Sequence, residues 1–163
     1  MNSTLTSNRY RFSRASRLLK PSEFQTVFDA RKACRGQWLT VHRTDGRPAA
    51  PAEIEDAPEI ISTGDAASRL GLIVAKRLVP TAARRNLIRR VVREYFRTTR
   101  DAFPRGDWIV RLHESPFPSP ARIRKGAPVP TRLQVVSDLR GDLTQVLRRV
   151  ANQIRKEGAN HGA

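Results

Sequence analysis

The sequence predicts one mixed α and β domain in which short strands are set between amphipathic helices. Three observations carry that expectation. At 163 residues the chain is long enough for a single compact core and short for two. Three runs, 37–43, 69–76 and 107–113, are rich in β-branched, aromatic or other apolar residues over strand-like lengths. Around them lie segments whose apolar residues recur at helical spacing.

Residues 1–13 are polar and basic and read as a flexible tail, with the domain spanning 14–157 and a second flexible tail at 158–163. Arg17-Leu-Leu-Lys-Pro-Ser-Glu-Phe-Gln-Thr-Val-Phe28 opens a short helix, with Ser22 and Gln25 at capping-box spacing and Pro21 near the start. Phe24, Val27 and Phe28 share one face and would anchor it. Arg31–Arg35 reads as a short edge strand and Gln37–Arg43 as a strand. Arg69–Lys76 is apolar on both faces and is therefore expected to be central. Asp107–His113 is a further strand. A final helix is expected over Ser137–Lys156, with Leu139, Leu143, Val146, Leu147, Val150 and Ile154 as its stripe and Gly158 as C-cap. Two stretches stand outside this pattern. Residues 45–68 hold six acids against Arg47 and read as an acidic insertion. Residues 114–132, with five prolines and the cluster Arg122, Arg124 and Lys125, read as a Pro-rich loop.

The most informative stretch runs from Thr81 to Arg100. Thr81 is the expected N-cap after Pro80, and Pro104 with Gly106 closes the far end. At 100° per residue Ile88, Val91, Val92 and Tyr95 form one apolar stripe. Asn86, Arg89, Arg90, Arg93, Arg97 and Arg100 fall opposite, and Glu94 is the helix's one acid. Neighbouring guanidiniums repel by a few tenths of a kcal/mol, roughly, per pair. A merely solvated face would mix Lys, Glu and Arg; this one is nearly pure Arg, the side chain suited to bidentate phosphate contact.

Composition points the same way. Lys plus Arg number 31 against 15 Asp plus Glu, a net charge of +16 and a pI near 11.6, which call for a polyanionic partner. An anionic membrane is the weaker candidate, because the apolar stripe of the Arg helix is needed by the core and no run approaches the roughly 20 apolar residues of a span. The N-terminus lacks the apolar stretch of a secretory signal. Cys34 is the sole cysteine, so no intrachain disulfide forms, consistent with a cytoplasmic setting. His42, His113 and His161 have no zinc-ligand spacing, and no nucleophile triad or Gly-rich phosphate loop is present. No catalytic residue and no metal ligand is therefore assigned. A DNA-binding module is disfavoured by the lack of helix-turn-helix or zinc-finger spacing. A non-enzymatic RNA-binding protein of the ribosome or its assembly would show the same charge and stands as the alternative.

The spacing Val79-x-x-Ala82-x-x-Arg85-Asn86-Leu87-Ile88-Arg89-Arg90-x-Val92-Arg93 closely resembles the signature of the bacterial ribonuclease P protein subunit. Leu87 departs from it, since the family usually has Arg-Asn-Arg there. The opening Arg17-Leu-Leu-x-Pro-Ser-x-Phe24-x-x-Val27-Phe28 and the run Arg69-Leu-Gly71-Leu-Ile-Val-Ala-Lys76 are similar to the family's first helix and third strand, and the likeness extends from about Arg17 to Lys156. It implies an α+β two-layer sandwich, a four-stranded sheet with helices packed on it and a left-handed strand–helix–strand crossover, against the usual right-handed preference. It also implies a subunit of an endoribonuclease that removes the 5′ leader of precursor tRNA. The catalytic centre, and the Mg²⁺ it uses, would belong mainly to the RNA partner. By that likeness Lys76, Arg77, Arg85, Asn86, Arg89, Arg90, Arg93 and Arg97 would grip the catalytic RNA. Arg17, Lys20, Phe24 and Phe28 would meet the leader, with stacking worth about 1–3 kcal/mol per base. Where the family often has a cleft aromatic on the second strand this chain has Val41, and Trp38 is either its substitute or a buried core residue.

Overall fold

The computed structural model describes residues 12–44, 68–99 and 104–160. Nearly all of the acidic insertion, most of the N-terminal tail, Arg100 and His161 lie outside the described residues. After a 3-10 turn at Arg14–Ser16 the elements run α1 (Pro21–Asp29), β1 (Lys32–Arg35), β2 (Leu39–Arg43), β3 (Arg69–Ile73), α2 (Ala82–Thr99), β4 (Asp107–Leu112), α3 (Pro120–Arg124) and α4 (Arg132–Asn160). The sheet order is β1-β2-β4-β3. The first two pairings are antiparallel, whereas β3 and β4 run parallel and are joined through α2.

Strand alternation sorts the side chains onto two faces. One face carries the row Cys34, Val41, Val110 and Leu72, which the register sets side by side. It is covered by α2, through Ile88, Val91, Val92 and Phe96, and by α4, through Val135, Leu139, Leu143, Val146 and Val150. The other face is covered by α1, where Leu18 and Val27 pack on Ile109 with Phe24, Phe28 and Ile73 around them.

Several expectations are corrected here. The run beginning at Arg69 is an edge strand, not a central one. Both its faces are buried, by α1 on one side and α2 on the other, and this two-sided burial is what its apolar pattern recorded. Its outer edge meets the segment before α1, where Arg17 bridges Leu70 and the Leu18 N–H donates to the Leu70 carbonyl at 3.1 Å. The core stripe of α2 includes Phe96, 1 % exposed, while Tyr95 is half-buried and bonds Thr144 at 2.9 Å. The cap of α1 is made by Glu23, not by Ser22 and Gln25: its carboxylate accepts the N–H groups of Leu19 and Lys20 at 2.7 and 2.8 Å. The Pro-rich loop contains α3 and ends in a reciprocal capping box between Thr131 and Gln134, so α4 starts five residues before Ser137. At the other end α4 continues through Gly158 to Asn160.

Two buried carboxylate systems hold the helices in place. Asp142 of α4, 5 % exposed, accepts the N–H groups of Gln37, Trp38 and Leu39 at 2.7–2.9 Å, clamping the β1–β2 turn onto the helix. Gly36 makes the approach possible, because a Cβ there would lie 2.1 Å from the Asp142 Oδ1. On the other face Arg69 donates through Nε and Nη2 to both oxygens of Asp107, at 2.8 and 2.6 Å, and through Nη1 to Glu23 at 2.6 Å. Glu23 thus caps α1 and ties it to β3 at once. Its burial opposes ionisation, but the two backbone donors and Arg69 outweigh that and hold its carboxyl below the usual range.

Asp142→Ala leaves three backbone donors without their acceptor and is expected to cost about 2–4 kcal/mol, read as a lower urea midpoint; an unchanged midpoint would show that water replaces the carboxylate freely. Because the folded pKa of Glu23 is depressed, its contribution is present above the ordinary carboxylate range and is lost as pH falls through the lowered value. Glu23→Gln should therefore be less stable than the parent at neutral pH and converge on it in acid, as followed by denaturation at a series of pH values.

Candidate nucleic-acid interface

Helix α2 presents its cations away from the core. Asn86, Arg90 and Arg93 are exposed and Arg89 is half-buried. Burial above all, and then the fields of Arg17 and Arg89, pull the Arg93 pKa below its ordinary value. Among the described residues Arg89 donates to the Asn86 amide oxygen alone, at 3.4 Å. Lys76 and Arg77 lie exposed in the turn that leads from β3 towards α2. Two members of the expected ridge have internal work. Arg85 donates to the carbonyls of Val79 and Pro80 at 3.0 and 2.6 Å, closing the turn before the helix. Arg97 pairs with Glu94, whose carboxyl it holds below the usual range with smaller help from Arg140 and Arg90.

Arg17 belongs to this side. The chain alternates along the β3 edge, so Leu18 turns to α1 while the Arg17 guanidinium lies 5.1 Å from the Phe12 ring, which meets Phe96 of α2 edge-on. Phe12, in the stretch read as a tail, packs on the core.

The opposite face carries α1, beside which the expected leader cleft would lie. Phe24 lies directly on Gly71, where a Cβ would come within 2.7 Å of the ring, so the glycine lets the aromatic wall sit against β3. Phe28 meets His42 edge-on, with centroids 4.9 Å apart. Lys20 stands exposed at the start of α1. In the next row of the sheet the register aligns Arg35, Thr40, Arg111 and Ile73. Thr40 also bonds His113 Nδ1 at 2.9 Å. Trp38 is not brought to this cleft; it is half-buried against the core on the α4 side. Val41, the position compared with a cleft aromatic, also faces that core and is 1 % exposed. His42 occupies the corresponding place over α1. Burial and then Arg111 lower the His42 pKa, which favours a neutral ring at physiological pH.

Sequence reasoning did not bring together Arg35, Arg111, His42 and Thr40, which the register sets on the face that carries α1. They are far apart along the chain, and only strand register puts them together. The period-two alternation that separates His42 from Val41 is readable from sequence, but which face is covered by α1 is not.

Among the described residues no three His, Cys, Asp or Glu side chains gather as metal ligands. The carboxylates of Asp142, Asp107, Glu23 and Glu157 are engaged by backbone N–H groups, arginine or lysine. This donor set does not fit a Mg²⁺ site. Among the same residues no helix is long and apolar enough to cross a membrane.

Comparison with known proteins agrees with this arrangement. The profile of the family described as Ribonuclease P matches residues 12–125. The chain is 40 % identical over 104 residues to the ribonuclease P protein component of Bordetella parapertussis, covering 64 % of this chain and 75 % of that one. It is 33 % identical over 150 residues to the component from Burkholderia pseudomallei, covering 91 % and 92 %. In fold it is similar to the Staphylococcus aureus RNase P protein (TM-score 0.55, 22 % identity, 83 % of this chain and 94 % of that one) and to the Thermotoga maritima protein (TM-score 0.51, 23 % identity, 82 % and 96 %). With residues 12–125 matched by the family profile and 91 % of the chain aligned to a relative at 33 % identity, the chain belongs to the ribonuclease P protein family.

Proposed function

We propose that this chain, as the protein subunit of ribonuclease P, binds the catalytic RNA through the α2 ridge and the 5′ leader of precursor tRNA through the α1 cleft. The observation that carries this reading is the ridge itself. Among the described residues Arg97–Glu94 is the one ion pair on α2, so Arg89, Arg90 and Arg93 keep their charge for an outside polyanion. The guanidinium fork matches phosphate geometry, and each phosphate neutralised releases counterions. The cleft suits an unpaired strand. Its aromatic wall, Phe24 and Phe28, offers faces to bases, and Arg35 and Arg111 beside it offer charge to the backbone.

In this reading the protein positions two RNAs and takes no chemical step. The RNA partner supplies the reacting site and Mg²⁺. Arg85 acts mostly by shaping the turn before α2, while Arg89, Arg90 and Arg93 contact phosphates. Arg17 extends the ridge to the sheet edge, and Lys20 stands nearer the leader.

The deciding experiment mixes the protein with a catalytic RNA subunit and a leader-bearing precursor tRNA at low Mg²⁺. Cleavage at the mature 5′ end should be stimulated, with no cutting by the protein alone. RNA binding without stimulation would return the chain to the class of non-catalytic RNA-binding proteins. Arg89→Ala with Arg93→Ala should lower the slope of log K against log salt for the catalytic RNA by about 1.4–1.8, from roughly 0.7–0.9 per phosphate; an unaltered slope would contradict the ridge. Phe24→Ala or Phe28→Ala should weaken precursor binding by about 1–3 kcal/mol per base lost from the stack. Leaderless tRNA should bind these variants as it binds the parent, and an equal loss on both RNAs would count against a leader cleft.

A further inference from the structure

A second concave site lies on the flank of α2, where it shares Asn86 and Arg90 with the ridge. It is a groove of about 580 Å³ between the first turns of α2 and the segment leading into α4. Its floor is apolar, made by Leu87, Phe117 and Pro130, and its rim is cationic, made by Arg84, Arg90 and Arg132. Among the described residues no carboxylate lines it. The groove continues between α2 and α4 into a cavity of about 190 Å³, where the one acid, Glu94, already pairs with Arg97. The Arg84 guanidinium sits 4.6 Å from the centroid of the Phe117 ring, so a flat charged group and a flat apolar one are already stacked at the mouth.

We propose that this groove holds one unstacked nucleotide of the RNA that α2 grips. The volume falls within the roughly 300–1,000 Å³ typical of small-ligand pockets. The base lies against Leu87, Phe117 and Pro130, and its phosphate lies between Arg90 and Arg132. Charge alone would be satisfied by any anion, but the floor favours an occupant with a planar apolar face joined to an anionic group. A nucleotide meets both requirements. An acidic peptide meets only the second. Leu87 is central here: a charged side chain at this position would lengthen the ridge, whereas leucine removes a cation and supplies the floor. The inference rests on the RNA-binding reading and adds a specific base contact to it.

The test uses the full-length chain and three probes, adenosine 5′-monophosphate, ribose 5-phosphate and inorganic phosphate, followed by NMR at the Leu87 methyls and the Phe117 ring. The nucleotide should shift both sets of resonances and bind at least tenfold more tightly than ribose 5-phosphate. Ala83→Trp, which fills the groove from its exposed wall, should abolish those shifts. It should also reduce affinity for the catalytic RNA about tenfold and lower the salt slope by no more than the roughly 0.7–0.9 of one phosphate, and Phe117→Ala, a change of the opposite kind, should weaken the nucleotide as well. Equal binding of all three probes would reduce the site to an anion patch and overturn the proposal. Nucleotide-independent resonances together with unchanged RNA affinity in Ala83→Trp would overturn it while leaving RNA binding by α2 standing. Failure of the unaltered protein to bind the catalytic RNA at all would instead remove the reading beneath it.

Discussion

The placement of α1 against the sheet depends on Arg69. Its guanidinium, with a side chain 10 % exposed, joins Asp107 on the neighbouring strand and Glu23 at the start of α1. A buried charge of this kind is tolerated only when its partners are near and well oriented. The bidentate contact to Asp107 fixes β3 against β4 at the parallel end of the sheet. The third donor reaches Glu23, which is also the cap of α1, so the helix is placed relative to the strand by the same group that starts it. Removing Arg69 would strand two carboxylates, a loss of about 3–5 kcal/mol on the scale known for broken buried pairs. The position of Phe24 over Gly71 follows from this anchoring.

The sheet then separates two kinds of work. One face is sealed by α2 and α4 around Trp108, Phe96 and the aliphatic rows, and this dry packing forces the arginines of α2 outward. The other face is covered by α1 over part of its area, leaving Arg35, Thr40 and Arg111 beside the aromatic wall. Asp142 performs for α4 what Glu23 does for α1: one carboxylate joins a helix to the sheet through backbone donors. Glu157 adds a second tie from the end of α4 to Arg43 and Lys32. The helices are thus held by apolar burial and by a few acids that have specific places. Such acids are scarce in a chain of net charge +16, and these four are kept for internal structure.

Much of this was legible beforehand because it is local. The apolar stripe of α2 and its opposed arginines repeat at 100° per residue, and that period survives folding. The strand at 107–112 and the stripe of α4 were likewise visible in spacing alone. Other features misled for physical reasons. Glu23 displaced Ser22 from the cap because a carboxylate three residues into the helix can accept two free N–H groups and also meet a buried Arg69. The run from Arg69 appeared central because burial on two faces gives the same apolar pattern as a place in the middle of the sheet. Trp38 appeared available to the cleft because an aromatic residue near a strand start carries no mark of the face it will choose.

By itself, the sequence determined the helical and strand periods, the cationic face of α2 and the family signature, because each is written in residues within a turn or two of one another. Tertiary structure alone decided which strand lay at the edge and that Asp142 and Arg69 would be internal clamps. It also decided that Arg35, Thr40, His42 and Arg111 would share one face with Phe24 and Phe28. Those outcomes depend on strand register and helix docking between segments distant along the chain. No local pattern encodes such pairings; they are selected by the burial and hydrogen bonding of the whole domain.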